Sequence, residues 1–170
     1  LSDSNLRVVH SAIAAIQALG ANEARELAIP AARSENAGVR RSALRILAYF
    51  GHDAALDPML AGLQDSDPRV REAAIQGLPY LDDARALEAL FEATRSRVPR
   101  VRALAMRSLG LVPKGNERVH SFLLKGHSDF EAWVRYYSCQ SLGRLAYSPA
   151  VPEVAKLLQD GAGQVRASAV

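Results

Sequence analysis

The sequence predicts an all-α protein, a right-handed α–α superhelix (α-solenoid) of about five to six helical hairpins. Three observations carry that expectation. Of 170 residues, 30 are Ala and 22 are Leu, against 5 Ile and one Thr; this is an inventory of helix formers, poor in the β-branched residues that favour strands. The dipeptide Val-Arg recurs at 39–40, 70–71, 101–102, 134–135 and 165–166, at spacings of 31, 31, 33 and 31 residues, and a fixed period of that length is the mark of stacked repeats. After each Val, small and apolar residues fall at offsets 4, 8 and 11, which share one stripe of an α-helix.

Stepping back 31 residues from Val39 reaches Val8, with Val9 where later copies have Arg, so six copies of the position tile the chain. Offset 4 holds Ala12, Ala43, Ala74, Ala105, Ser138 and Ala169; offset 8 holds Ile16, Leu47, Leu78, Leu109 and Leu142; offset 11 holds Leu19, Phe50, Leu81, Val112 and Leu145. This is the second helix of each repeat, expected to stop near Gly20, Gly51, Asp82 and Pro113, residues that suit a C-cap or a break. A first helix precedes it. Eleven and ten residues before each Val stand Ala28-Ile29, Met59-Leu60, Leu90-Phe91, Leu123-Leu124 and Val154-Ala155, and seven before it Ala32, Leu63, Thr94, His127 and Leu158. Asp53, Asp83 and Ser148 are the expected caps. The repeats are then 1–20 (second helix only), 21–51, 52–82, 83–113, 114–146 and a truncated 147–170, all in one domain. Neither helix of a pair can bury its stripe alone, so stability must come from stacking.

The run Asp65-Ser66-Asp67-Pro68-Arg69-Val70-Arg71-Glu72-Ala73-Ala74 resembles HEAT repeats, and more narrowly the short HEAT-like variety named after phycobilisome lyases. The resemblance covers essentially the whole chain. It implies the solenoid fold, and it implies that the motif residues hold the stack together and form no active site. A structural ladder is implied for Arg40, Arg71, Arg102, Arg135 and Arg166, with carboxylates five residues before the Val at Asp3, Asp65, Asp129 and Asp160, and with Ser34 and Ser96 in the other two copies. The second helices of such arrays line the concave, binding face.

Net charge is +3, with 18 Arg against 3 Lys. Once the five ladder arginines are set aside, the remaining cations scatter among 18 carboxylates, and no block of positive charge survives as a nucleic-acid footprint. The concave face would instead carry Arg41, Arg45, Tyr49, Gln76, Tyr80, Arg107, Tyr136, Gln140 and Arg144. Tyr and Arg are the side chains most enriched at interface hot spots, so these residues form the candidate protein-binding surface. Tyr137 reads as filler between helices. Trp133, in the aromatic segment 129–137 beside the 33-residue repeat, reads as a hydrophobic staple at a helix start, with an exposed contact point as the alternative.

Little in the chain points to catalysis. The histidines are His10, His52, His120 and His127; His120 and His127 lie seven residues apart, two turns along one first helix, too far to chelate one ion together. No metal and no cofactor are expected. Cys139 occupies a slot filled by Leu44, Ile75 and Met106 in other copies, which makes it a buried apolar replacement. The expectation is a noncatalytic scaffold or adaptor binding another protein. The alternatives are an accessory or chaperone-like subunit of an enzyme, bilin lyase-like by the resemblance; a nucleic-acid binder; and a repeat-built DNA glycosylase. With no signal-peptide pattern and no apolar run of membrane length, a cytoplasmic protein is expected. The pattern opens inside one second helix and breaks off inside another, so a longer array, or self-association end to end through the terminal repeats, is expected as well.

Overall fold

The computed structural model describes residues 3, 5–19, 22–51 and 53–170. The described residues contain helices and no strand: α1 (Leu6–Leu19), α2 (Asn22–Ala31), α3 (Ala37–Phe50), α4 (Leu56–Gly62), α5 (Pro68–Gly77), α6 (Ala84–Ala93), α7 (Pro99–Leu109), α8 (Glu117–Gly126), α9 (Ala132–Leu145), α10 (Val151–Lys156) and α11 (Gly163–Ser168). Short 3-10 turns occupy Asp53–Ala55, Leu78–Tyr80, Ser148–Ala150 and Leu157–Gln159. The odd-numbered helices carry the Val-Arg position and are the second helices; the even-numbered ones are the first helices. Packing divides the chain into two compact units, 1–87 and 88–170.

Most helix starts follow from local chemistry. Side chains at the cap accept the first free N–H groups at Asn36 (from Gly38 and Val39), Asp67 (from Arg69), Asn116 (from Arg118 and Val119) and Glu131 (from Trp133). Pro68 and Pro99 open α5 and α7, where a missing N–H costs nothing. Asp83 accepts from the N–H of Arg85 at 2.8 Å at the head of α6. Ser148 does not cap: it opens a 3-10 turn that contains Pro149, and α10 begins after Ala150 with no side-chain bond and with Pro152, whose ring fixes a helical φ, in its first turn. Gly20 lies outside the described residues, as does the side chain of Asp53.

The helix ends differ in part from expectation. α3 stops at Gly51, whose φ of +58° is the left-handed conformation that glycine adopts freely. α5 stops at Gly77, before Asp82, because Pro79 cannot donate to the helix and the chain tightens into a 3-10 turn. α7 stops at Leu109 with Gly110 as its cap, before Pro113. Leu158, expected on the apolar stripe, is 43% exposed, because the helix has already passed into the 3-10 turn that points Leu157 inward. The two extra residues of the 33-residue repeat lie in the turn 110–116 ahead of α8, where Gly115 has φ +93°, and not beside Trp133.

Each unit has its own core. In the first it is built from Leu44, Ile46, Leu47, Leu56, Met59, Ile75 and Leu78; in the second from Leu90, Phe91, Leu109, Val119, Leu123, Val134 and Leu142, all of them buried. At offset 4, Ala43, Ala74, Ala105 and Ser138 have no exposed surface at all, so small residues let neighbouring helices approach closely. Ser138 donates its hydroxyl to the Leu123 carbonyl, which satisfies a polar group in an otherwise apolar position. The chain packs tightly on α9 at Gly110, the C-cap of α7, where a Cβ would stand 2.9 Å from Ser141 Cα, and Ser141 donates to the Met106 carbonyl at 2.9 Å.

Candidate protein-binding surface

The loop before each second helix is built the same way throughout. Five residues ahead of the Val, a side-chain oxygen accepts the backbone N–H two residues on: Asp3 from Asn5, Ser34 from Asn36, Asp65 from Asp67, Ser96 from Val98, Asp129 from Glu131 and Asp160 from Ala162, at 2.7–3.2 Å. The arginine after the Val turns back to this loop. Its Nη1 donates to the carbonyl of the same residue, Arg40 to Ser34, Arg71 to Asp65, Arg102 to Ser96, Arg135 to Asp129 and Arg166 to Asp160, at 2.6–2.9 Å. In three of the five the other edge of the guanidinium reaches the next repeat. Nε and Nη2 of Arg40 meet both oxygens of Asp65, those of Arg102 meet Asp129 and those of Arg135 meet Asp160, every bond at 2.7 or 2.8 Å. These forked pairs are charge-assisted, and their side chains are only 8–18% exposed. The guanidinium holds each of the three carboxyls below the ordinary aspartate value of 3.8, and the N–H bond two residues on adds to the effect.

The candidate binding residues stand on the second helices. In the first unit Arg41, Arg45 and Tyr49 succeed one another at four-residue steps along α3; Arg41 is half-buried, Arg45 is exposed and Tyr49 is 58% exposed. Gln76 is exposed on α5, and Tyr80 is 55% exposed at the end of the 3-10 turn that follows. In the second unit Tyr136, Gln140 and Arg144 repeat the four-residue step along α9, and Gln140 Nε2 donates to Tyr136 Oη at 3.0 Å. Arg107 is exposed on α7, its guanidinium carbon 5.9 Å from the ring centre of Tyr137.

Trp133 belongs to this second group. It is not a staple: the cap is Glu131, the residue before the cap is the fully exposed Phe130, and Trp133 is the second residue of α9. Its indole rests on its own helix, 5.3 Å from the Tyr136 ring and 5.9 Å from that of Tyr137, while remaining 48% exposed. Tyr136 and Tyr137 are edge to face at 5.1 Å. The structure thus gathers Trp133, Tyr136, Tyr137 and Arg107: Trp133 and Arg107 are exposed, as the alternative reading of Trp133 has it, whereas Tyr137 is half-buried and Tyr136 packs partly against the core of Cys139, Leu157 and Val165. The signal was available in the offsets 133, 136 and 137, which are helical neighbours.

Of the remaining reactive groups, Cys139, His120 and His127 are enclosed, while His10 is exposed on α1. Cys139 is buried, donates to the Ser168 carbonyl at 3.0 Å, and burial pushes its thiol pKa up, away from the nucleophilic thiolate. His120, in α8, is buried and stacked on Tyr147 at 3.8 Å. His127 is the C-cap of α8, buried, and neither of its ring nitrogens has a hydrogen-bond partner among the described residues; burial lowers its pKa, only partly opposed by Glu153. His52 lies outside the described residues. Among the described residues no three His, Cys, Asp or Glu side chains are placed to share a metal ion, and no helix is long and apolar enough to cross a membrane.

Paired short helices, a recurrent arginine clamp and small residues at each close approach define a helical-repeat solenoid protein. Residues 25–110 and 56–128 match the family model of HEAT repeats, and the chain belongs to that family. No curated protein matches its sequence. In structure the chain is similar to the complex of CpcE and CpcF of phycocyanin lyase from Nostoc sp. PCC7120, at 22% identity and TM-score 0.69 over 85% of this chain and 62% of that one. It thus spans less than two thirds of that neighbour's length. It is also similar to an engineered protein (20% identity, TM-score 0.62, 94% and 80% of the two chains) and to a designed armadillo repeat protein in complex with the peptide (KR)4 (17% identity, TM-score 0.58, 99% and 92%).

Proposed function

We propose that the chain is a noncatalytic scaffold or adaptor that binds another protein through the exposed faces of its second helices. One patch would lie on each unit: Arg41, Arg45, Tyr49, Gln76 and Tyr80 on the first, and Arg107, Tyr136, Gln140 and Arg144, joined by Trp133 and Tyr137, on the second. The observation that carries this reading is the cluster of Trp133, Tyr136 and Tyr137 flanked by Arg107, with the indole half in solvent. Rigid rings with a polar edge supply contact area at low entropic cost, which is what a hot spot requires. The solved neighbours support a protein or peptide partner, since one is a two-protein complex and another a peptide complex. In this reading the arginine ladder sets register and the repeat boundaries stay where the period puts them.

The test is affinity capture with the native chain, with Trp133→Ala/Tyr136→Ala and with Tyr49→Ala/Tyr80→Ala, each variant's helicity measured by circular dichroism. A partner retained by the native chain and lost by a folded variant supports the surface; variants that unfold show those residues to be packing. A second reading, an accessory or chaperone-like subunit of a bilin lyase, is favoured by the phycocyanin lyase neighbour. It requires a shift in visible absorbance when a free bilin is added to the chain. A nucleic-acid binder would retard DNA or RNA with a steep salt dependence.

A further inference from the structure

Charge is sorted between the two sets of helices in the second unit. Its second helices α7 and α9 carry five arginines and no carboxylate. The carboxylates stand elsewhere. Asp129 and Asp160 lie in the loops, held in the forks of Arg102 and Arg135, and Glu131 caps α9. The other four, Glu88, Glu92, Glu117 and Glu153, belong to the first helices α6, α8 and α10, where each has a basic neighbour, Arg118, Arg95, His120 and Lys156 in turn. The charges of the first helices are thus matched among themselves, and those of the second helices are not.

The unmatched charge falls at the aromatic cluster. With Arg102 and Arg135 engaged by their forks, Arg107 and Arg144 are exposed and meet no carboxylate among the described residues. Arg107 is exposed while every other residue from 103 to 110 is buried, so its side chain rises from a closed stretch of α7. Its guanidinium carbon lies 5.9 Å from the centre of the Tyr137 ring. A ring face attracts the cation and leaves the planar row of N–H donors open to a carboxylate, which can take two of them at once. Beside it on α9 the indole of Trp133 is half in solvent, and Gln140 fixes the Tyr136 hydroxyl at 3.0 Å. Arg144 stands one turn beyond Gln140 on the same helix.

We infer that the partner of this face is an acidic peptide segment carrying an apolar side chain. One carboxylate closes on Arg107, the apolar side chain lies against the indole of Trp133, and a second carboxylate meets Arg144. The inference rests on the protein-binding reading of the second helices and names the chemistry of what they bind. Complementarity of charge selects this occupant, because a basic segment would meet arginines with no carboxylate among them. Two unmatched arginines suit a short peptide. A nucleic acid draws its affinity from many phosphates neutralised together, and this face offers few cations.

Trp133 is the single tryptophan of the chain, so its fluorescence reports on this site. The experiment selects binders of the native chain from a displayed library of random dodecapeptides lacking tryptophan. The selected peptides and an oligothymidylate of twelve nucleotides are then titrated by indole emission against the native chain, Arg107→Glu, Arg107→Glu/Arg144→Glu and Lys125→Glu, each checked for helicity. The selected peptides are expected to be rich in Asp and Glu, to shift the emission, and to bind the two Arg107 variants about ten-fold or more weakly. Lys125→Glu makes the same change of net charge on α8 and binds as the native chain does. Arg107→Gln serves where reversal disturbs the fold, and it weakens binding in the same direction. Peptides that shift the emission but are neutral or basic, or that ignore the Arg107 and Arg144 substitutions, overturn the acidic partner and leave the binding surface standing. Peptides that bind without changing the emission, or a library that yields none, overturn the surface as well. Oligothymidylate bound more tightly than the selected peptides overturns both in favour of a nucleic acid.

Discussion

Arg102 and Asp129 meet edge to edge, Nε to Oδ2 at 2.7 Å and Nη2 to Oδ1 at 2.8 Å, while the third donor of the same guanidinium holds the Ser96 carbonyl at 2.9 Å. One side chain thus ties the loop before α7 to the loop before α9. Lysine offers a point charge and no fork, so Arg102→Lys keeps the charge and loses the geometry. The expected cost is about 1–3 kcal/mol, in the range for charge-assisted bonds to partly buried groups. Urea unfolding measures it, and a loss no larger than that of an exposed pair would show the fork to be incidental.

Stability falls on the acid side in two stages. Asp65, Asp129 and Asp160 are held below their ordinary value of 3.8 in the folded chain, so the stability they contribute is complete above that pH and is lost as pH falls below it. His127 is buried and held below its ordinary 6.5, so the unfolded chain takes up its proton first and stability begins to decline as pH falls below 6.5. Unfolding free energy measured against pH shows a shallow limb and then a steep one. His127→Leu flattens the first; Asp129→Asn reduces the second.

Gly110→Ala forces α7 and α9 apart, because its new methyl would stand 2.9 Å from the Ser141 Cα atom and closer still to the hydroxyl. Overpacking of this kind costs about 1–3 kcal/mol. A lower thermal midpoint with unchanged helicity is the expected result, and Gly110→Ala/Ser141→Ala recovers part of it.

Ala146 occupies at the end of α9 the left-handed position that Gly51 occupies at the end of α3, with φ of 56° and 58°. A Cβ is strained there by roughly 1 kcal/mol. Ala146→Gly therefore raises the thermal midpoint, even though glycine also gains freedom in the unfolded chain. A lowered midpoint would show that the unfolded-state term dominates.

Much of the architecture was legible because it depends on period. The Val-Arg dipeptide and its offsets locate α3, α5, α7 and α9 directly, since only one helical stripe passes through offsets 0, 4, 8 and 11. The helix ends were harder. Pro79, two residues into the turn after α5, outweighs Leu81 and Asp82 downstream, and Leu158 follows a 3-10 period that the stripe does not anticipate. Trp133 was misplaced by a local choice: with Glu131 as cap it points along its own helix to Tyr136 and Tyr137, and which of several polar residues caps is decided by hydrogen bonds, not by spacing. The fork from Arg102 to Asp129 was implied only by family resemblance, because residues 27 apart are joined by the fold and not by any helical offset.

The turn at 110–116 separates length from fit. From Arg40 to Asp65 and from Arg135 to Asp160 the chain takes 25 residues, and from Arg102 to Asp129 it takes 27, yet all three forks close at the same distances. The added residues are absorbed upstream of the Asn116 cap, at Gly115, where a side chain would point into open space. Such a chain can grow or shrink between hairpins without any joint having to be recut, which makes that turn the natural place to graft foreign sequence onto the array.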